Sequence, residues 1–451
     1  MTISKKPHNP LHLPTIYPVT CHTDHVGPGS TFVAIKGMKH DGIDYINQAL
    51  ARGATSIVSE TAIDKNSINT QNVCFIHVEN ARKALAILSA QAYDYPAKKL
   101  KFIAITGTKG KTTCSFLIEH LLRFNGYKTA LLSTVKNSIN GTDFPTKLTT
   151  QQPDYLHTFF NLCVENNVEW VIIEVAAQAF SLHRIAGLEF DAAIFTNFSK
   201  EHGEFYATMD DYFAAKKEII NYLKPQAPLI LNAHDTRVKK LSEHYSNAIL
   251  FDNNQTLPCP KLIGRFNNYN CAAVITCLKS LHLLNSDQIK LGLQTFNGVP
   301  GRIERYELPN GSCAIIDYAH NPSSYEAILG ELSQHTDHLI VVFGCGGDRD
   351  ASRRPLMGSI ASKYANLMLL TSDNPRSEDP AQIVQDICSG INDTYHHKII
   401  IELDRERAIK MAYHHARKNS IIALLGKGPD EYQIIKGVTT FFSEKQILQN
   451  L

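Results

Sequence analysis

KFIAITGTKGKTT, residues 101–113, is the stretch on which the reading of this chain turns. Its first six residues are an apolar, β-rich run, and the pattern over 112–124 has a helical period. Between them lies Thr106-Gly107-Thr108-Lys109-Gly110-Lys111-Thr112-Thr113. Glycines in a strand-to-helix turn let backbone N–H groups face inward on phosphate oxygens, and the helix start adds the positive end of its dipole. In that setting Lys111 would pair with β- and γ-phosphates and Thr112 would ligate Mg2+. The strict spacing GxxxxGK[ST] fails at its first glycine, where Ile105 stands, so the match is to the variant TGTxGKTT. The competing reading is a glycine-rich turn that only caps a helix; the strand–loop–helix context favours a nucleotide site.

Further apolar runs follow at 129–132, 170–175, 192–196 and 229–231, separated by helical stretches that include 209–222. Such alternation predicts parallel βαβ units. An earlier block, closing near Pro96, alternates strand-like 31–35, 55–58 and 73–78 with helical 44–52 and 81–93. A third block, from about residue 297, repeats the pattern with strands at 314–317, 338–344, 367–371, 399–401 and 421–425. The expected fold is therefore α/β: an N-terminal domain over 1–97, a central P-loop domain over 98–296, and a Rossmann-like C-terminal domain over 297–451. Lys98, Lys99 and Lys101 read as a linker.

Composition narrows the function. In 451 residues, 45 Lys and Arg stand against 43 Asp and Glu, a formal charge of +2, which argues against a nucleic-acid coat. A hydrophobic share of 43% with 20% charged residues is globular rather than disordered. The ten cysteines include no CxxC pair, and residues 1–19, broken by Pro7, Pro10, Pro14 and Pro18, do not read as a signal peptide. No run approaches the ~18 apolar residues of a membrane span. The expectation is a cytoplasmic monomer acting on small molecules, with no nucleic acid and no membrane insertion.

Several later segments gain meaning beside TGTKGKTT: PGSTFVAIKG with DG (28–42), EVAAQAF (174–180), TNFSKEH (196–202), YFAAK (212–216), GRFNNYN (264–270), GRIERY (301–306), DYAHNP (317–322), FGCGGDRDASRRP (343–355), DNPRSEDP (373–380) and GKGPDEYQ (426–433). Together they resemble the Mur ligases, cytosolic enzymes that add amino acids to UDP-N-acetylmuramoyl peptides. FGCGGDRD, DNPR and GKG with EYQ are similar to the members that add the third residue. The arginine form of DNPR implies meso-diaminopimelate rather than lysine.

That resemblance implies ATP and Mg2+ as cofactors. Glu174 and His202 would be Mg2+ ligands beside Thr112, and Lys216 a fourth once carbamylated; alone, Glu174, His202 and Lys216 would read as a strand-end carboxylate, a capping histidine and a solvated helix lysine. Asn267 and Asn270 would lie near adenine, with Arg302 on the phosphates and Asp317, Tyr318 and His320 closing the last domain over ATP. Thr23, Thr149, Thr150 and Arg184 would hold the UDP-muramoyl dipeptide. For the incoming amino acid, bidentate Arg349 and Arg376 suit a distal carboxylate. Asp373, Asn374, Pro375, Gly426 and Asp430 would complete that pocket; a plain Asx–Pro turn is the alternative for 373–376.

The chemistry explains the residue types. A carboxylate becomes electrophilic as an acyl phosphate, and an amine then displaces phosphate, so two polyanions must meet among cations. Four departures from the family pattern fall in the substrate pockets: His22-Thr23-Asp24 for DSR, Ala176-Ala177-Gln178 for SSH, Leu182 for a glutamine, and Pro429-Asp430 for HE. They leave open a ligase with a different acceptor or amino acid. A nucleotide-dependent switch is the reading from another class.

Overall fold

The computed structural model describes residues 11–37, 40–62, 72–199 and 205–451. Packing divides the chain into two compact units, Met1–Pro258 with Tyr269–Gln294, and Cys259–Asn268 with Thr295–Leu451.

The first unit contains two sheets. Strands β1 (Val19–Thr20), β2 (Thr31–Ala34), β3 (Ser56–Ser59) and β4 (Cys74–His77) pair in parallel, in that order. Val33 and Val58 pack under Ala81 and Leu85 of the helix Ala81–Ala92, while Phe32, Ile46 and Ile57 fill the other face. The larger sheet uses β5 (Lys101–Thr106), β6 (Thr129–Leu132), β7 (Asn137–Ile139), β8 (Thr142–Phe144), β9 (Trp170–Glu174), β10 (Ala192–Phe195), β11 (Leu229–Asn232) and β12 (Ala248–Phe251). Its order is β12-β11-β10-β5-β9-β6-β7-β8. Strands buried on both faces read as continuous apolar runs, and Phe102, Ile103, Ala104 and Ile105 of β5 are all buried. Each such large side chain contributes roughly 1.5–3 kcal/mol.

The chain leaves β5 toward β6 and β9 on one side and toward β10 on the other, so the loop after β5 sits at the point where strand order reverses, where open α/β sheets bind ligands. Register matters here. Ile105 pairs with Glu174 and Thr106 with Phe195, so the ends of β9 and β10 flank the glycine loop.

In the second unit, β13 (Glu304–Glu307), β14 (Cys313–Asp317), β15 (Leu339–Phe343), β16 (Leu367–Leu370), β17 (Ile399–Ile401) and β18 (Ile421–Leu425) form a sheet of order β13-β14-β18-β15-β16-β17. Asp317, Leu425, Phe343 and Leu370 align in register, so the loops after β14, β18, β15 and β16 rise at one edge. A hairpin of β19 (Tyr432–Ile435) and β20 (Val438–Phe441) follows.

The sequence-derived elements differ in detail. The 209–222 stretch is α-helical over Met209–Lys217 and then tightens to a 3-10 turn, Glu218–Tyr222. Helix 44–52 is likewise a 3-10 turn, Gly42–Tyr45, leading into Ile46–Ala51. The lysine-rich linker is ordered: Pro96–Lys99 is a 3-10 turn, Lys99 pairs with Asp94 at 2.9 Å, and Lys101 begins β5. Among the described residues, no helix is long and apolar enough to cross a membrane.

Candidate active site

The glycine loop is built by its neighbours as much as by itself. Gly107 (φ +134°) and Gly110 (φ +85°) occupy backbone conformations that L side chains rarely adopt. A Cβ on Gly107 would collide with the Thr196 hydroxyl, and one on Gly110 with the Asn270 carboxamide. The Thr196 hydroxyl donates to the Lys109 carbonyl at 2.6 Å, and Asn197 brackets Lys109, accepting from its amide at 2.9 Å and donating to its carbonyl at 3.0 Å. The Thr108 amide also bonds the Asn197 carbonyl. Two amides expected to line phosphate are thus used to strap the loop to residues 196–199. The dipole argument therefore applies to the helix start from Gly110, which caps Lys111–Phe124. Lys111 Nζ donates to the Gly107 and Thr108 carbonyls at 2.8 and 3.0 Å, and Thr106 and Thr113 are buried.

Glu174, the last residue of β9, is fully buried beside this loop. Its partners among the described residues are neutral: the hydroxyls of Thr112 (3.1 Å), Ser115 (3.3 Å) and Thr134 (3.0 Å), and the Thr134 amide (3.2 Å). A buried carboxylate held by hydroxyls suits a hard cation that takes its remaining oxygens from phosphate and water. Lys216, buried in Met209–Lys217, donates to the Gly107 carbonyl at 2.8 Å and lies over the Tyr212 ring. His202 lies outside the described residues.

Of the expected acceptor residues, Thr149 and Arg184 lie beside Thr150. Its hydroxyl donates to the Glu174 carbonyl and accepts from the Ala176 amide, while its own carbonyl accepts from Arg184 Nη1. The Thr149 hydroxyl sits 3.1 Å from that of Thr134. Arg184 Nε is buried with no partner among the described residues, and burial, with Arg82 nearby, pushes its guanidinium pKa down. Such a group calls for an anion. Thr23 contributes its carbonyl to Arg52, which also pairs with Asp24 at 2.8 Å, so an arginine charge returns to this segment from elsewhere in the chain.

Asn270 and Asn267 part company. Asn270 packs on Gly110 and within 3.7 Å of the Cys114 thiol, whereas Asn267 donates to the Ile263 carbonyl in the second unit.

Within that second unit, the Arg302 guanidinium covers the Tyr318 ring at 4.6 Å, and His320 Nδ1 contacts the Tyr318 carbonyl. Asp317 accepts from the amides of Ile303 and Ala319, and burial raises its pKa against the opposing pull of Arg302. Residues 373–376 are more than a turn. The Asn374 side-chain oxygen accepts from the Ile434 amide (2.9 Å), the Arg376 amide donates to the Ile434 carbonyl (3.0 Å), and Gln433 donates to the Asp373 carbonyl (2.9 Å). The side-chain oxygen of Asn374 thus ties the 373–376 segment to β19. Arg376 (φ +53°) donates to the Gly347 carbonyl, and Arg376 and the exposed Arg349 both flank Gly346. Pro375 is buried, its carbonyl against Gly347. Gly426 (φ +110°) has no room for a Cβ beside the Asp373 carboxylate. Asp430 is held above the usual carboxylate range by burial.

Family models match three stretches: "Mur ligase family, catalytic domain" over 15–93, "Mur ligase middle domain" over 105–259 and "Mur ligase, glutamate ligase domain" over 301–428. A UDP-N-acetylmuramoyl-L-alanyl-D-glutamate–2,6-diaminopimelate ligase of Syntrophomonas wolfei is 34% identical over 94% of this chain and 92% of its own. The chain belongs to the Mur ligase family. A solved structure of a ligase with the same name is 26% identical, with a TM-score of 0.62 over 100% of this chain and 96% of that one. The Thermotoga maritima MurF ligase in complex with ADP, 18% identical, shares the three-domain fold, with a TM-score of 0.64 over 91% of this chain and 94% of its own.

Sequence reasoning missed several residues that contact these candidates. Thr134 and Ser115 reach Glu174 from separate elements, and Asn197 was quoted only as part of a motif. Lys427 is the largest omission: fully buried, it lies 4.0 Å from Asp373 and donates to the Tyr432 carbonyl. The K of GKG was its only signal.

Proposed function

We propose that this chain is the ATP-dependent amide ligase that joins meso-diaminopimelate to UDP-N-acetylmuramoyl-L-alanyl-D-glutamate in the cytoplasm, with functional segments 1–97, 98–296 and 297–451. The observation that carries the reading is Glu174: a buried carboxylate without a cationic partner among the described residues, tied through Thr112 to the glycine loop and through Thr134 to Thr149. This links a phosphate cradle to an acceptor pocket. The relatives' shared name and the ADP bound by the Thermotoga maritima ligase support it.

In this reading Lys111 and the helix start hold the triphosphate, and Arg184 takes a carboxylate of the acceptor. An acceptor carboxylate oxygen attacks the γ-phosphorus, and ADP leaves. The amine, deprotonated, then adds to the acyl carbon, and inorganic phosphate leaves with the oxygen it captured. Glu174 and Thr112 would hold Mg2+, joined by His202 and by Lys216 as its carbamate, and the ion would offset the charge of two approaching polyanions. Asn267, Asn270, Arg302, Asp317, Tyr318 and His320 serve the nucleotide. Arg349 and Arg376 grip the distal carboxylate of diaminopimelate, and Asp430 its ammonium.

A second reading keeps this chemistry and changes the acceptor, motivated by Ala176, Ala177 and Leu182 where the family has polar side chains. Phosphate release is measured with UDP-muramoyl dipeptide and either meso-diaminopimelate or lysine, for the native enzyme and for Arg376→Ala. Diaminopimelate-dependent release, lost in Arg376→Ala with nucleotide affinity unchanged, is expected. Release with other carboxylic acids but not with this dipeptide would favour the second reading.

A further inference from the structure

The amino-acid pocket of the proposed reaction rests on two loops, 371–376 after β16 and 426–430 after β18, and β15 lies between those strands in the sheet. No ladder hydrogen bond can join them directly. The loop after β16 instead crosses the end of β15, where a Cβ on Gly344 would collide with the Thr371 carbonyl, and it sets the Asp373 carboxylate against Gly426. Something must fix that crossing.

Arg405 begins the helix Arg405–His415, and its side chain is fully buried. Its guanidinium donates to the Leu425 carbonyl at 2.9 Å from Nη2 and to the Ser372 carbonyl at 3.4 Å from Nη1. The third edge, Nε, donates to Glu444 Oε1 at 2.8 Å, and Glu444 is 2% exposed in its side chain. One planar fork thus touches Ser372, within the first loop, and Leu425, just before the second, and a buried carboxylate from the last helix, Glu444–Gln449, fixes its orientation. Above it lie Asp373 and Lys427, 4.0 Å apart, completing a buried set of two cations and two anions. Only a planar, multiply donating cation can make these three contacts at once.

We propose that Arg405, oriented by Glu444, is a positioning residue for amino-acid binding: it locks the Asp373–Arg376 and Gly426–Asp430 loops at the separation that the incoming diamino acid requires. This rests on the amino-acid role proposed above for those loops. Arg405 touches no reacting atom, so its effect falls on one substrate.

The test is steady-state kinetics on full-length Arg405→Lys, which keeps the charge beside Glu444 but cannot reach both carbonyls, and on Arg405→Met/Glu444→Leu. The double variant replaces the buried pair with apolar bulk, an exchange that is often neutral or stabilising. Both are expected to raise the KM for meso-diaminopimelate about tenfold or more while the KM values for ATP and acceptor stay put. Glu444→Gln, which still accepts from Nε, should restore a near-native KM. A folded variant with native amino-acid KM, an equal rise for all three substrates, or loss of folding in both variants would overturn the proposal and leave the pair a core element only. Failure of the native enzyme to respond to any amino acid would instead sink the ligase reading itself.

Discussion

Lys111 and Lys216 donate to the same carbonyl oxygen, that of Gly107, each at 2.8 Å. They come from different helices, and Lys216 is the more buried of the two. In the proposed function Lys216 bears a carbamate. Lys216→Arg keeps the cation but cannot carry a carboxylate. Turnover should fall at least about 100-fold while ADP still binds by calorimetry. Lys111→Ala should lose ADP binding itself. An active Lys216→Arg enzyme would refute the carbamate.

The Thr134 hydroxyl donates to Glu174 and abuts that of Thr149. Thr134→Val removes one hydroxyl donor and leaves the backbone amide in place. The Mg2+ concentration needed for half-maximal ADP release should rise several-fold, with folding unchanged by circular dichroism. Glu174→Gln should abolish release, and a chelator should do so reversibly without unfolding the protein.

These pairs mark where the sequence stops being readable. Strands β5, β6, β9, β10 and β11 announced themselves as apolar runs because both sheet faces are covered, and the glycine loop sits where its local pattern put it. Hairpins β7–β8 and β19–β20 stayed hidden because they are short and polar or half-exposed, with no period to detect. Thr134, Lys427 and Arg405 were hidden for another reason: their partners are 40, 54 and 39 residues away (Glu174, Asp373 and Glu444), and no local spacing encodes such a meeting. The motif fixes the place of Asn374 but does not encode the bond of its side-chain oxygen to the backbone of β19.

Asp430 has its pKa raised, chiefly by burial, while Lys427 pulls the other way. A raised carboxyl pKa means the anion is lost at a higher pH than for an ordinary aspartate. If that anion holds the substrate's ammonium, the KM for diaminopimelate should climb as pH falls, beginning above the usual carboxylate range. Asp430→Asn should flatten this acid limb and raise the KM at neutral pH. It should also raise the melting temperature there, because a group with a raised folded-state pKa stabilises only at pH values where it is protonated.

His157, in the helix Pro153–Glu165, is 4% exposed, stacks edge-on against Phe160, and has no partner for Nδ1 among the described residues. Burial pushes its pKa down to about 4. With an unfolded value near 6.5, the unfolded chain takes up the proton first, so stability present above about pH 6.5 is lost as pH falls toward 4, by roughly 3 kcal/mol in full. Urea melts at pH 7 and pH 5 should show His157→Leu losing less stability on acidification than the native chain. Equal losses would remove His157 from the acid response.

The central claim is that ATP activates the acceptor's carboxyl group by transferring phosphate to it before the amine arrives. UDP-muramoyl dipeptide labelled with oxygen-18 in the reacting carboxylate tests this directly. After one turnover with ATP and meso-diaminopimelate in unlabelled water, mass spectrometry of the inorganic phosphate should find one labelled oxygen transferred from the acceptor. Unlabelled phosphate, with product formed and the oxygen lost from the carboxylate released to water, would contradict the account.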